Sequence, residues 1–124
     1  MKTSELTGPA LRWAVAKATG ALAPLGNVYV IGRQLFVVAG DEKVEYAPDE
    51  DWSQGGPIME DARIGHRYAG RMAQGPYCVA WKSHGLGPHK CESSRYGPTP
   101  LIAAMRCYVA SKLGDDVEIP EELK

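Results

Sequence analysis

Three stretches of this chain gather side chains able to do chemistry. The first is Asp51 to Glu60, DWSQGGPIME, where a carboxylate, a large aromatic and an amide stand just before two glycines and a proline. Glycines permit positive φ and close backbone approach, so a turn here would bare successive N–H groups and make a cradle for an anion. In such a site Trp52 could stack on a flat ligand, Asp51 and Gln54 could read polar edges, and the Gly55 and Gly56 N–H groups could meet phosphate. The spacing is not that of a P-loop, which needs wider glycine spacing and a Lys-Ser or Lys-Thr pair, nor that of the dinucleotide fingerprint. A structural turn, with Trp52 covering the core and Pro57 opening a short helix, fits the same residues.

The second stretch carries Arg63, Arg67 and Arg71 at four-residue intervals, with His66 and Tyr68 between them. On one helix or one strand the three would share a face. Guanidinium forks match phosphates and carboxylates, and Tyr68 could stack on a base. A solvated face that balances Asp49 to Asp51, Glu60 and Asp61 is the plainer account. The third stretch offers His84, His89 and Cys91 as three ligands. It lacks the close cysteine pairs and the nearby fourth ligand of zinc sites, so it reads as a polar loop and no metal is expected. Cys78 and Cys107 lie in apolar runs without a histidine base beside them, and nothing in the sequence raises the pKa of a carboxylate. No catalytic residue and no cofactor are therefore assigned. A small nucleotide-cleaving hydrolase using His66 with Asp51 or Glu60 would require those groups to converge in a cleft.

The elements that must position these groups are legible from local signals. Thr7, Gly8 and Pro9 open a helix over Ala10 to Ala18, with Leu11, Val15 and Ala18 as its apolar stripe, Arg12 and Lys17 off it, Trp13 at its border and Gly20 as its stop. Val28–Ile31 and Leu35–Val38 are β-branched or aromatic runs joined at Gly32, and Gly40 turns the chain into a third short strand at Val44–Tyr46. A further strand spans Gln74 to Lys82, followed by a polar loop from Ser83 to Ser94. Thr99 and Pro100 then start the last helix, along which Ile102, Met105, Val109 and Leu113 recur until Gly114. Val117 and Ile119 could tether the acidic tail.

Composition narrows the function classes. A chain of 124 residues suits one domain, and its net charge of −1 gives no general attraction to duplex nucleic acid or to acidic membranes. No run approaches the ~18 apolar residues of a membrane helix, and the start of the chain has no signal-peptide pattern. Three irregularly spaced cysteines read as reduced thiols of a cytosolic protein.

Three blocks, KTSELTGPALRWAVAKATG, DWSQGGPIMED and GPTPLIAAMRCYVASKLGDDVEIPEEL, together span roughly half the chain and resemble, in order, the NinX-like phage and prophage proteins, a family of unknown function. The resemblance implies a phage origin and an accessory role, and with the reduced thiols the expected location is the cytoplasm of the bacterial host. It implies no chemistry.

The expectation is an α+β single domain in which one antiparallel sheet, residues 28 to 46 and 76 to 82, packs against two main helices, with loops 49 to 60 and 83 to 98 beside a ligand face. The function expected is non-enzymatic sequestration of a small anionic or nucleotide-like ligand by Asp51, Trp52, Gln54, Gly55, Gly56, Arg63, Arg67 and Tyr68. By analogy with other small phage proteins, this would serve counter-defence. The alternative class is an adaptor that inhibits or recruits a host protein, which predicts an exposed apolar patch and no deep pocket. In either case a homo-oligomer could complete the site at a symmetric interface.

Overall fold

The last helix, α3 (Pro100–Leu113), begins where its capping residues place it: the Thr99 hydroxyl accepts the Ile102 N–H at 3.2 Å and Pro100 fills the first helical position. The computed structural model describes residues 1–72, 75–83 and 91–124, with only the backbone course described for 67–72, 75–83 and 91–96. Within α3 the burial exceeds the single stripe read from spacing. Leu101, Ala103, Ala104, Met105, Arg106, Cys107, Tyr108 and Val109 are all buried, whereas Ile102 and Leu113 are only partly so. A helix enclosed on most sides is the centre of its domain.

Helix α1 (Gly8–Thr19) and helix α2 (Trp52–Ala62) both pack on α3. Gly20 closes α1 in the left-handed conformation, φ 78°, a geometry glycine adopts without a side-chain clash. Thr7 takes the extended N-cap conformation but makes no side-chain capping bond. Leu11, Ala14 and Val15 are fully buried, and Trp13 packs on the core with the Lys17 ammonium 5.2 Å from its ring. Arg12, read as lying off the apolar stripe, is in fact buried.

The strands form two antiparallel sheets. β1 (Val28–Ile31), β2 (Gln34–Ala39) and β3 (Glu42–Glu45) make a meander of order β1-β2-β3, with two-residue turns at Gly32–Arg33 and Gly40–Asp41. Both turn glycines have positive φ, as the tight hairpin signal required. β4 (Ile64–Met72), β5 (Gly75–Ser83) and β6 (Cys91–Gly97) make the other sheet, of order β4-β5-β6, which packs against α3. The α+β class stands, but the single sheet expected to join residues 28–46 to 76–82 is two sheets. Part of the segment read as a loop, 83 to 98, is strand β6. Cys91–Gly97, CESSRYG, has no apolar alternation to announce it, and pairing with β5 makes it a strand. Where β6 meets α3 the approach is close: a Cβ on Gly97 would stand 2.7 Å from the Ala103 nitrogen.

The tail is tied down as its apolar residues suggested. Val117, Ile119 and Leu123 are buried, the Thr3 hydroxyl donates to the Gly114 carbonyl at 2.7 Å, and the Val117 N–H donates to Met1 O at 2.9 Å. No helix among the described residues is long and apolar enough to cross a membrane.

A groove between two helix starts

The block DWSQGGPIMED folds as helix α2 and not as a glycine turn. Asp51 is its N-cap, its Oδ1 accepting from the Ser53 N–H at 2.9 Å and from the Ser53 hydroxyl at 2.7 Å. Those bonds, the hydroxyl's first, hold the Asp51 carboxyl below its ordinary pKa. Pro57 lies inside the helix instead of opening it. Two ligand roles read from the sequence are corrected by this. The Gly55 N–H is not bared for a phosphate, because it donates to the Asp51 carbonyl at 2.8 Å. Gln54 reads its own backbone: Oε1 accepts from the Ala47 N–H at 2.6 Å and Nε2 donates to the Glu45 carbonyl at 2.9 Å. The side chain thereby mimics a short strand beside the end of β3. Gln54→Ala should cost about 1–3 kcal/mol in chemical denaturation, because it strands the part-buried Ala47 N–H. A loss under about 0.5 kcal/mol would show that water replaces the amide.

Gly55 is buried for a steric reason. A Cβ there would overlap the Pro48 carbonyl and stand 2.7 Å from Leu101 Cδ2, so this glycine lets α2 lie against α3 and the preceding loop. Gly56 faces open space. Arg63 is the left-handed C-cap of α2, φ 57°, and so does not lie on the strand that carries Arg67, Tyr68 and Arg71. Arg67 pairs with Val79 and Tyr68 with Cys78, and a register shift between Tyr68 and Gly70 interrupts β4 before Arg71. The arginine ladder is therefore not one element. The side chains of Arg67 and Tyr68 lie outside the described residues, as do His84, His89 and the Cys91 thiol. Among the described residues no three potential metal ligands come together.

What tertiary structure assembles is a groove of about 320 Å³ between the starts of α2 and α3, lined by Asp49, Glu50, Trp52, Thr99, Pro100, Leu101 and Ile102. Trp52 forms its wall at 51% exposure, with the His66 ring 5.8 Å away and tilted by 50°. Among the described residues His66 shares no hydrogen bond or ion pair with Asp51 or Glu60, the pairing that hydrolysis required.

One buried cation organises this region. Arg12 reaches from α1 with Nε to Asp49 Oδ1 at 2.7 Å, Nη1 to Glu45 Oε1 at 3.0 Å and Nη2 to Glu50 Oε1 at 3.2 Å. Burial alone would lower the guanidinium pKa, but the Asp49 bond and charge, with Glu50 and Glu45 behind them, hold it above its ordinary value. The carboxylates still outnumber it, since exposed Asp51 adds a fourth. The groove thus has an apolar floor and an acidic rim. Sequence reasoning missed Arg12 and the Pro100–Ile102 floor. The signal for Arg12 was the acidic run Glu45 to Asp51, which calls for a counter-charge from elsewhere in the chain.

Compared with known protein families, the chain matches the model described as Bacteriophage P22, NinX over residues 2–112, a span that contains the whole groove. No curated protein matches it.

Proposed function

Because the chain belongs to the family described as Bacteriophage P22, NinX, we propose that it is a phage-encoded accessory protein that works by docking on a protein partner, taking a basic and apolar segment into the groove between α2 and α3. The observation that carries this reading is the pairing of a half-exposed tryptophan and an apolar floor with an acidic rim. An exposed aromatic anchor beside a shallow groove suits a protein hot spot. Glu50 and Asp51 would meet the cations of the segment, and its apolar side chain would lie between Trp52 and Ile102. The same rim repels an anion, which weighs against a small phosphate-bearing ligand at this place.

A nucleotide-type ligand, sequestered for counter-defence, is the second reading. One observation favours it: the open face of Trp52 can stack on a base. Its phosphates would then need Arg63 or Arg67 and not the glycine N–H groups.

The test is a photo-crosslinking amino acid at position 102, expressed in cells infected by a phage carrying the gene. The crosslinked peptide is then synthesised and titrated against purified protein. The expected peptide is basic and apolar and binds more weakly as salt rises. Trp52→Ala should weaken it by at least about 10-fold, the scale of a hot-spot aromatic. An intact nucleotide released on denaturation, with no crosslinked peptide, would transfer support to the second reading. A peptide that ignores both salt and Trp52→Ala would sink the docking proposal.

A further inference from the structure

Strand β3 is the outer strand of its sheet, and all four of its residues are exposed. In an antiparallel ladder, successive residues aim their N–H and C=O groups alternately at the partner strand and away from it. The Gly40–Asp41 turn makes Ala39 and Glu42 the first bonded pair, and further along the Tyr46 N–H donates to the Leu35 carbonyl at 2.8 Å. Glu42, Val44 and Tyr46 therefore face β2, whereas Lys43, Glu45 and Ala47 aim their backbone groups outward. The Gln54 amide holds two of these outward groups, the Ala47 N–H and the Glu45 carbonyl. Among the described residues, nothing bonds to the Lys43 N–H, the Lys43 carbonyl or the Glu45 N–H.

Those three groups form the pattern that a parallel neighbour completes. A residue of a parallel strand donates to the carbonyl before the residue it faces and accepts from the N–H after it. Gln54 does this around Tyr46 with its side-chain amide, and so stands as one rung of a parallel ladder. The adjoining rung, around Val44, needs the Lys43 carbonyl and the Glu45 N–H, and both are open. The rung beyond takes the Lys43 N–H. An antiparallel newcomer would have to share the Glu45 carbonyl with Gln54. We propose that the segment docking in the groove first adds to β3 as a parallel fourth strand, running from the Gly40–Asp41 turn toward Gln54 and then crossing into the groove. This rests on the docking reading and extends it to a second patch of surface.

The two patches adjoin, because one guanidinium, that of Arg12, holds both Glu45 at the end of β3 and Glu50 on the groove rim. Charge selects the occupant. Lys43 is engaged over the Phe36 ring, and Glu45 and Glu50 are engaged with Arg12. The exposed carboxylates without a cation among the described residues are Asp41 and Glu42 at the start of the path and Asp51 at its end. Side-chain pattern follows from the register. Val44 is 52% exposed and lies on the same side of the sheet as its pair Val37, which packs on the core, so the residue facing Val44 is apolar. The residue two positions before it lies beside Glu42 and is basic. Charges on an edge strand ordinarily keep stray strands away, and these admit a basic one.

The test places a photo-crosslinking amino acid at position 42, in infected cells, beside the one at position 102. Both should capture the same partner. The partner residues captured from position 42 should precede those captured from position 102 by roughly four to eight, at about 3.3 Å per extended residue. Capture from position 102 alone, or in the reverse order, would overturn the added strand and leave the groove reading standing. Capture from position 42 alone would overturn both, and capture of a second copy of this chain there would overturn the added strand. The captured peptide, synthesised and bound to purified protein, should protect the Lys43 and Glu45 amides from hydrogen exchange. Lys43→Pro removes only an outward N–H, which an edge strand tolerates, and should weaken the peptide about 5-fold. Lys43→Ala keeps that N–H and should change binding less than about 2-fold. Unprotected amides, or equal effects of proline and alanine, would also overturn the proposal.

Discussion

Replacing Arg12 with methionine should lower the unfolding free energy by about 3–5 kcal/mol, the range for breaking a buried ion pair from one side. The methionine retains the apolar stem, so the loss reports the charge and not a cavity. What makes the cost large is Asp49, 4% exposed and held by Arg12 Nε at 2.7 Å, which would be left buried and uncompensated. Glu45 and Glu50 are largely exposed and return to water at little cost. Urea denaturation followed by circular dichroism measures the effect. Adding Asp49→Asn should recover about half of it, because a neutral amide is far cheaper to bury than a carboxylate. High salt should change the wild-type value little, since a pair removed from solvent is weakly screened. If Arg12→Met costs less than about 1 kcal/mol, the network is a surface feature and does not set the position of the groove.

The adjacent glycines of α2 should respond to alanine with very different costs. At Gly55 the added methyl has no space, and one of the atoms it meets is the backbone carbonyl of Pro48, which cannot swing aside like the end of a side chain. The expected cost is about 3 kcal/mol or more, at the upper end for overpacking. The start of α2 should also shift away from Leu101, carrying Trp52 with it. At Gly56 nothing outside the local chain stands within 4 Å of the added Cβ, so the gain in helix propensity meets only the crowding of the following Pro57 ring against a helical residue, and alanine should change stability by less than about 1 kcal/mol. Thermal unfolding of the two variants side by side decides the matter. Equal effects would mean that α2 does not lie on Pro48 and Leu101 in solution.

These two glycines also show where reading the sequence runs out. Nothing local distinguishes Gly55 from Gly56, and Gly-Gly-Pro is ordinarily a turn. The segment is helical because Asp51 caps it and because a glycine at position 55 permits contact with Leu101, 46 positions away. Gln54 has the same history. Its amide was read as a reader of ligand edges, and it is spent on the backbone of Glu45 and Ala47. Trp52 and Asp51 do lie at the groove or its rim, yet the floor beside them comes from α3, which the sequence presented as a core helix.

What the sequence determined by itself was what can be settled within a few residues. The Thr99–Pro100 start of α3 and its Gly114 end, the Gly20 stop of α1, and the glycine turns of β1-β2-β3 follow from capping and turn chemistry that needs no distant partner. The three family-like blocks were likewise readable as strings. Tertiary structure alone decided that β4-β5-β6 is a sheet of its own, that CESSRYG is a strand, and that Arg12 is buried. Each of these rests on a partner remote in sequence, as Arg12 and Asp49 are across 37 positions. Pairing and burial outweigh the propensity of the segments concerned. The groove belongs to that second group, because two helix starts had to meet before it existed.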